Sequence, residues 1–169
     1  MLRVVPWQHA RLEHLETRGS RGGVPLYAVT HLRHTEDANL VWRSLGPLLT
    51  AMECGETGRR IARLEFIWDR PTGRRGVVMY DTDGSPVIHV ANALLGYSGA
   101  GPALSGQIME ALGVLPEVFE LINNSVTNQD YIVVLSREKW SPTVSIRHRK
   151  AVTLPTEMDG AWSYFRIYV

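Results

Sequence analysis

The run Leu95-Gly96-Tyr97-Ser98-Gly99-Ala100-Gly101-Pro102 holds residue types that present backbone N–H groups to an anion. It stands directly before Ala103 to Gly113, a segment with helical spacing. A small-residue loop opening onto a helix N-terminus offers free amides and the positive end of the helix dipole. Gly99 and Gly101 permit close approach of the backbone to a ligand. Pro102 suits the first helical position, where its missing N–H is not needed. Ser98 adds a hydroxyl, and Tyr97 a ring that can stack or hydrogen-bond. His89 and Asn92 come shortly before the loop, so His89, Tyr97 and Ser98 are expected to border one pocket. His89 is the candidate general acid or base there, because imidazole titrates near neutral pH without tuning. Tyr97, Ser98, Gly99, Ala100 and Gly101 form the candidate ligand-binding set, and the backbone amides of Gly99 to Ala103 would hold an anion or a developing oxyanion. The structural alternative is a tight strand-to-helix connection, with Gly106 and Gly113 marking close packing and helix termination. The loop is not a P-loop, since no Gly-Lys-Ser/Thr follows. The spacing of Gly96, Gly99 and Gly101 is not that of a dinucleotide fingerprint.

Tyr97-Ser98-Gly99-Ala100-Gly101-Pro102, with Leu104 and Ile108, resembles a Tyr-Gly-Gly-Thr-Gly-Pro element of small uncharacterised bacterial, plasmid and phage proteins. In those, too, the element precedes an apolar helix. The resemblance covers residues 97–108, and Ser98 and Ala100 depart from it. It implies no activity.

A second concentration of chemistry lies at the C-terminal end. Alternation places Trp162, Tyr164, Arg166 and Tyr168 on one strand face, and Phe165, Ile167 and Val169 on the other. A Trp/Tyr/Arg face has the composition of a binding hot spot. Its alternative is an amphipathic strand covered by an N-terminal helix. His31 and His34 lack a third ligand in a recognised frame, and no metal or other cofactor is expected. Cys54 has no local base and is read as a small core or subsurface residue. Asp83 is explained by an Asp-Gly turn. Arg59, Arg60, Arg63, Arg70, Arg74 and Arg75 make a basic neighbourhood, diluted by Glu53, Glu56, Glu65 and Asp69 into a mixed-charge surface. Arg147, His148, Arg149 and Lys150 form a stripe read as protection of a sheet edge.

The elements that must position these groups follow from periodicity. Trp7 to Thr17 reads as a short helix, broken by residues 19–23. Val24 to His31 reads as a strand. A helix opens at Thr35, with Leu40, Val41, Leu45, Leu48, Leu49 and Met52 at helical spacing and Pro47 arguing for a kink or two shorter helices. Three strands follow: Ile61 to Trp68, Val77 to Tyr80 and Val87 to Val90, joined by turns at Pro71-Thr72-Gly73 and Asp83-Gly84. A helix runs from Ala103, and a shorter one from Glu117 to Ile122, stopped by Asn123-Asn124. Tyr131 to Leu135 is an apolar run that suits a buried strand. Thr143 to Val152 and Trp162 to Val169 read as two further strands. Strands that run together rather than alternate with helices give an α+β class with a mainly antiparallel sheet, a β-meander and two to four helices.

The chain has 169 residues, which fits one domain spanning 1–169, with 1–23 as a peripheral segment. A net charge of +1 gives no global case for nucleic acid or an anionic membrane. All basic residues but Lys139 and Lys150 are arginine, a skew that GC-rich coding alone produces. One cysteine and no signal-like N-terminal run point to the cytoplasm. The expectation is a non-enzymatic binding module that engages a protein partner or small ligand through the aromatic C-terminal face, with a homodimer as one form. The alternative is a small enzyme, or a binder of an anionic metabolite or nucleotide, with its pocket at Gly96–Pro102 and His89 as acid/base.

Overall fold

The computed structural model describes residues 15–21, 24–29, 35–137, 151–152, 162 and 164–168. In order they form β1 (Leu15–Arg21), β2 (Val24–Val29), α1 (Thr35–Glu53), β3 (Ile61–Asp69), β4 (Arg74–Asp81), β5 (Pro86–Val90), α2 (Ala100–Ala111), α3 (Pro116–Ser125), β6 (Tyr131–Ser136), β7 (Ala151–Val152) and β8 (Tyr164–Tyr168). The strands make one sheet in the order β1-β2-β5-β4-β3-β6-β8-β7. Every neighbouring pair is antiparallel except β2 with β5. The class is therefore α+β, with β3-β4-β5 as the meander.

Alternation along the strands sorts side chains onto two faces. Across the pairing, Val90, Val77, Phe66, Val133 and Ile167 form one row. Ile88, Met79, Leu64 and Leu135 form the next. None of these nine is more than 1% exposed. They share one core with Val41, Leu45, Leu48, Leu49 and Met52 of α1, Leu104 and Ile108 of α2, and Val118 and Ile122 of α3. Each such side chain contributes about 1.5–3 kcal/mol relative to exposure.

The second face carries the intervening residues. His89, Val78, Glu65 and Val134 are paired in one row, Tyr80, Arg63 and Ser136 in another, and Gly76, Ile67 and Ile132 in a third. On this face Val134 and Ser136 are buried, whereas Arg63, Glu65, Ile67, Val78, Tyr80, His89 and Ile132 are half-exposed.

Several boundaries differ from the expectation. Residues 15–17 belong to β1, not to a helix, and residues 7–14 lie outside the described set. β1 pairs only with β2, and its register shifts between Thr17 and Ser20, across Gly19. An edge strand tolerates such a glycine and bulge. α1 is one helix with Pro47 inside. Pro47 is exposed, so the carbonyl it leaves without an N–H partner can face water. α2 begins at Ala100, with Gly99 as N-cap, rather than at Ala103. Pro102 then stands third in the helix, where the first four N–H groups have no intrahelical acceptor anyway. α3 runs through Asn123 and Asn124 to Ser125. Of the strand expected over 143–152, Ala151–Val152 is described, and β8 begins at Tyr164.

Candidate functional site

The glycine loop is built around its own backbone. Leu95 N–H donates to the buried Tyr131 hydroxyl at 2.8 Å, and Gly96 N–H to Asn123 Oδ1 at 2.7 Å. Asn128 N–H donates to the Gly96 carbonyl at 3.1 Å, and the Ser105 hydroxyl to the Leu94 carbonyl at 2.7 Å. Asn123 is thus a tether for the loop rather than a helix stop. Gly96 has φ +89°, in the left-handed region, and a Cβ there would run into the backbone of Val126 and Thr127.

Tyr97 folds across the start of α2. Its ring packs edge-on to Trp68, with centroids 6.0 Å apart. Its hydroxyl takes the Gly101 amide. Burial pushes the phenol up, opposed by the positive Arg75 and by that amide. A Cβ on Gly101 would collide with this hydroxyl and come within 3.0 Å of the Asn92 carbonyl oxygen. One amide expected to meet an anion therefore already meets Tyr97. Ser98 and Gly99 are exposed and Ala100 is half-exposed.

The sheet separates His89 from this loop. His89 is paired with Val78, in the row of Glu65 on the second face. Trp68, against which Tyr97 packs, alternates with Ile67 and Asp69 and so belongs to the parity of Leu64 and Phe66. The single pocket expected from His89, Tyr97 and Ser98 is not formed, because sequence proximity across a strand end does not keep residues on one face.

On the second face His89 borders a cleft of about 300 Å³ (the small end of ligand sites) whose lining includes Ile67, Arg74, Gly76, Val78 and Ala91. The His89 Nε2 lies 3.2 Å from the Arg75 carbonyl oxygen, which orients the ring. Gly76, with φ +103°, lies tight against Val90 and Ala91, which leaves no room there for a side chain. The sequence reading places Arg74 only in a mixed-charge surface and gives Ile67 and Val78 no part in a site. Their signal was available in the alternation of the meander, since each occupies a second-face position.

Beside the cleft, Arg63 Nε is 3.2 Å from Glu65 Oε1, and the Tyr80 hydroxyl donates to Glu65 Oε2 at 3.0 Å. The Arg63 guanidinium lies 4.1 Å from the Tyr80 ring centroid. Burial, and then the negative charge of Glu65, push the Tyr80 phenol up from 10.0 to about 12. An unfolded chain ionises this tyrosine first. The associated stability is therefore full below pH about 10 and is lost as pH rises towards about 12. A spectrophotometric phenol titration should lose one late-ionising phenol in Tyr80→Phe while that of Tyr131, which burial also pushes up, remains, and the variant should lose less stability over that interval. Loss of no step in the variant would refute the assignment.

Of the C-terminal set, Trp162 is 4% exposed and lies in the core. Its Nε1 donates to the Leu112 carbonyl at 2.7 Å, and the Arg137 guanidinium lies 4.5 Å from its ring centroid. It precedes β8 rather than sharing an exposed strand face. Tyr164, Arg166 and Tyr168 are register partners of Ser136, Val134 and Ile132, so they extend the three rows of the second face.

The remaining candidates separate. Cys54 is exposed at the end of α1, not in the core. Asp81 is buried, and its Oδ1 accepts the amides of Asp83 and Ser85 at 3.0 and 2.9 Å, which closes the Asp83-Gly84 turn. Arg60, Arg63 and Arg70 pair with Glu53, Glu65 and Asp130, as a mixed-charge surface requires. His31, His34 and residues 147–150 lie outside the described residues. Among the described residues no three His, Cys, Asp or Glu side chains gather to hold a metal, and no helix is long and apolar enough to cross a membrane. Comparison of the chain with protein-family models, curated proteins and solved structures gave no match.

Proposed function

We propose that this protein is a binding module that engages a partner protein through the second face of its sheet. One observation carries this reading. Arg63, Glu65, Tyr80 and His89, all partly buried, stand in two adjacent rows, and the strand register continues those rows to Tyr164 and Arg166, with Tyr168 in the next row beside Ile132. Tyrosine and arginine are the residue types that dominate binding energy at interfaces. The Arg63–Glu65–Tyr80 group is already ordered by its internal contacts, so a partner meeting it loses little further side-chain entropy.

The test places a photo-crosslinking amino acid at position 80 or 166 of the full chain in its host cells, with position 117 on α3 as control. Glu117 is exposed and lies outside the sheet. A discrete heavier band from 80 and 166, absent from 117, is the expected result. A band at twice the 19.0 kDa chain mass would identify the partner as a second copy. Equal bands from all three positions, or none from 80 and 166, would overturn the reading.

A further inference from the structure

We propose that the cleft between Arg74 and His89 binds a small carboxylic acid with an apolar tail. This goes beyond the partner-binding surface, and it stands or falls separately from it.

The lining has two parts of different chemistry. Ile67, Val78 and Ala91 supply apolar surface to the floor, and the Gly76 backbone lies among them. Apolar floors reward hydrocarbon, not water. At the rim stands Arg74, exposed and without an ion pair among the described residues. Of the three neighbouring carboxylates, two are paired with other cations. Glu65 is held by Arg63 and Tyr80. Asp69, opposite Arg74 in the register, accepts the Thr72 hydroxyl at 2.7 Å. Asp130 pairs with Arg70 at 3.2 Å. Arg74 is thus a cation at the mouth of an apolar cleft. Its planar fork matches the two oxygens of a carboxylate. His89 also lines the cleft, with its ring oriented by the bond between Nε2 and the Arg75 carbonyl. A carboxylate at the rim with its chain on Ile67 and Val78 satisfies both parts at once. A nucleotide would have to place its polar phosphates or sugar on that floor.

The experiment is titration of the full chain with butyrate, hexanoate, hexanol and inorganic phosphate, followed by amide NMR shifts and calorimetry. Hexanoate is expected to bind saturably and to shift the amides of Ile67, Val78, His89 and Ala91. Each methylene added from butyrate to hexanoate should tighten binding by up to about fourfold. Arg74→Gln should weaken hexanoate about tenfold or more while leaving the thermal midpoint unchanged, as befits an exposed side chain. Val78→Phe, which fills the floor, should remove the chain-length dependence. The proposal is overturned if hexanol binds as well as hexanoate, if Arg74→Gln has no effect, or if phosphate alone produces the shifts. Failure here leaves the crosslinking result untouched, so the two readings are separable.

Discussion

Gly96→Ala is expected to cost about 3 kcal/mol or more of folding free energy, whereas Gly84→Ala costs about 1 kcal/mol. Both glycines have a left-handed backbone, with φ +89° and +75°, so both substitutions carry the same conformational strain. The difference is space. A Cβ at Gly84 meets nothing within 4 Å, while one at Gly96 collides with the Val126 carbonyl oxygen and lies 3.0 Å from its carbon. Those atoms are backbone and cannot rotate away. To make room, the loop must part from the 126–127 turn, which gives up the bonds from Gly96 N–H to Asn123 and from Asn128 N–H to the Gly96 carbonyl. The first of these bonds is partly buried, so its loss adds to the strain. Urea unfolding followed by circular dichroism checks the pair. Equal costs at the two positions would show that the loop adapts and that its close packing is not what requires the glycine.

The same contrast explains what the sequence could and could not reveal about the site. Two of the loop's glycines, Gly96 and Gly101, answer to close contacts with Val126 and Tyr97. Neither neighbour is evident from the glycine pattern, and a loop shaped by packing has the same composition as one shaped for an anion. Local features were legible. The alternation in Ile61 to Trp68 and the apolar run at Tyr131 to Leu135 belong to β3 and β6, and the Asp83-Gly84 turn joins β4 to β5. What depends on distant chain was not legible. The parallel pairing of β2 with β5 is a case, since no local pattern states which strands become neighbours. Trp162 is another. Its place in the core is fixed by the Leu112 carbonyl, 50 residues away in sequence. His89 was a reasonable candidate from its chemistry, but its companions Arg74 and Ile67 reach it only through the register of the meander. β1 was misassigned because a seven-residue edge strand with a bulge keeps no clean period of two.

Glu53→Ala should destabilise the protein by about 3 kcal/mol, more than Arg137→Met, although the two residues form one ion pair. The asymmetry follows from their surroundings. The Arg137 side chain is 8% exposed, and its Nη2 is 2.7 Å from Glu53 Oε1 and 2.8 Å from the Leu112 carbonyl oxygen. Its Nε and Nη1 are buried without hydrogen-bond partners among the described residues. Removal of Glu53 therefore leaves a poorly solvated cation with one remaining acceptor. Removal of Arg137 takes that cation away, and the surviving carboxylate is more accessible and has Arg60 within 3.7 Å. Met also keeps much of the stem that packs beside Trp162. The cost of Arg137→Met should be about 1–2 kcal/mol, from the lost hydrogen bond to Leu112 and the lost cation–π contact. Trp162→Phe then provides the decisive cycle. Arg137 and Trp162 both donate to the Leu112 carbonyl, at 2.8 and 2.7 Å, so either alone still satisfies it. Only the double variant strands that acceptor at the buried end of α2, and the double loss should exceed the sum of the singles by about 1 kcal/mol. Additive losses, or a larger cost for Arg137→Met than for Glu53→Ala, would mean that the shared carbonyl does not couple the C-terminal segment to the helices.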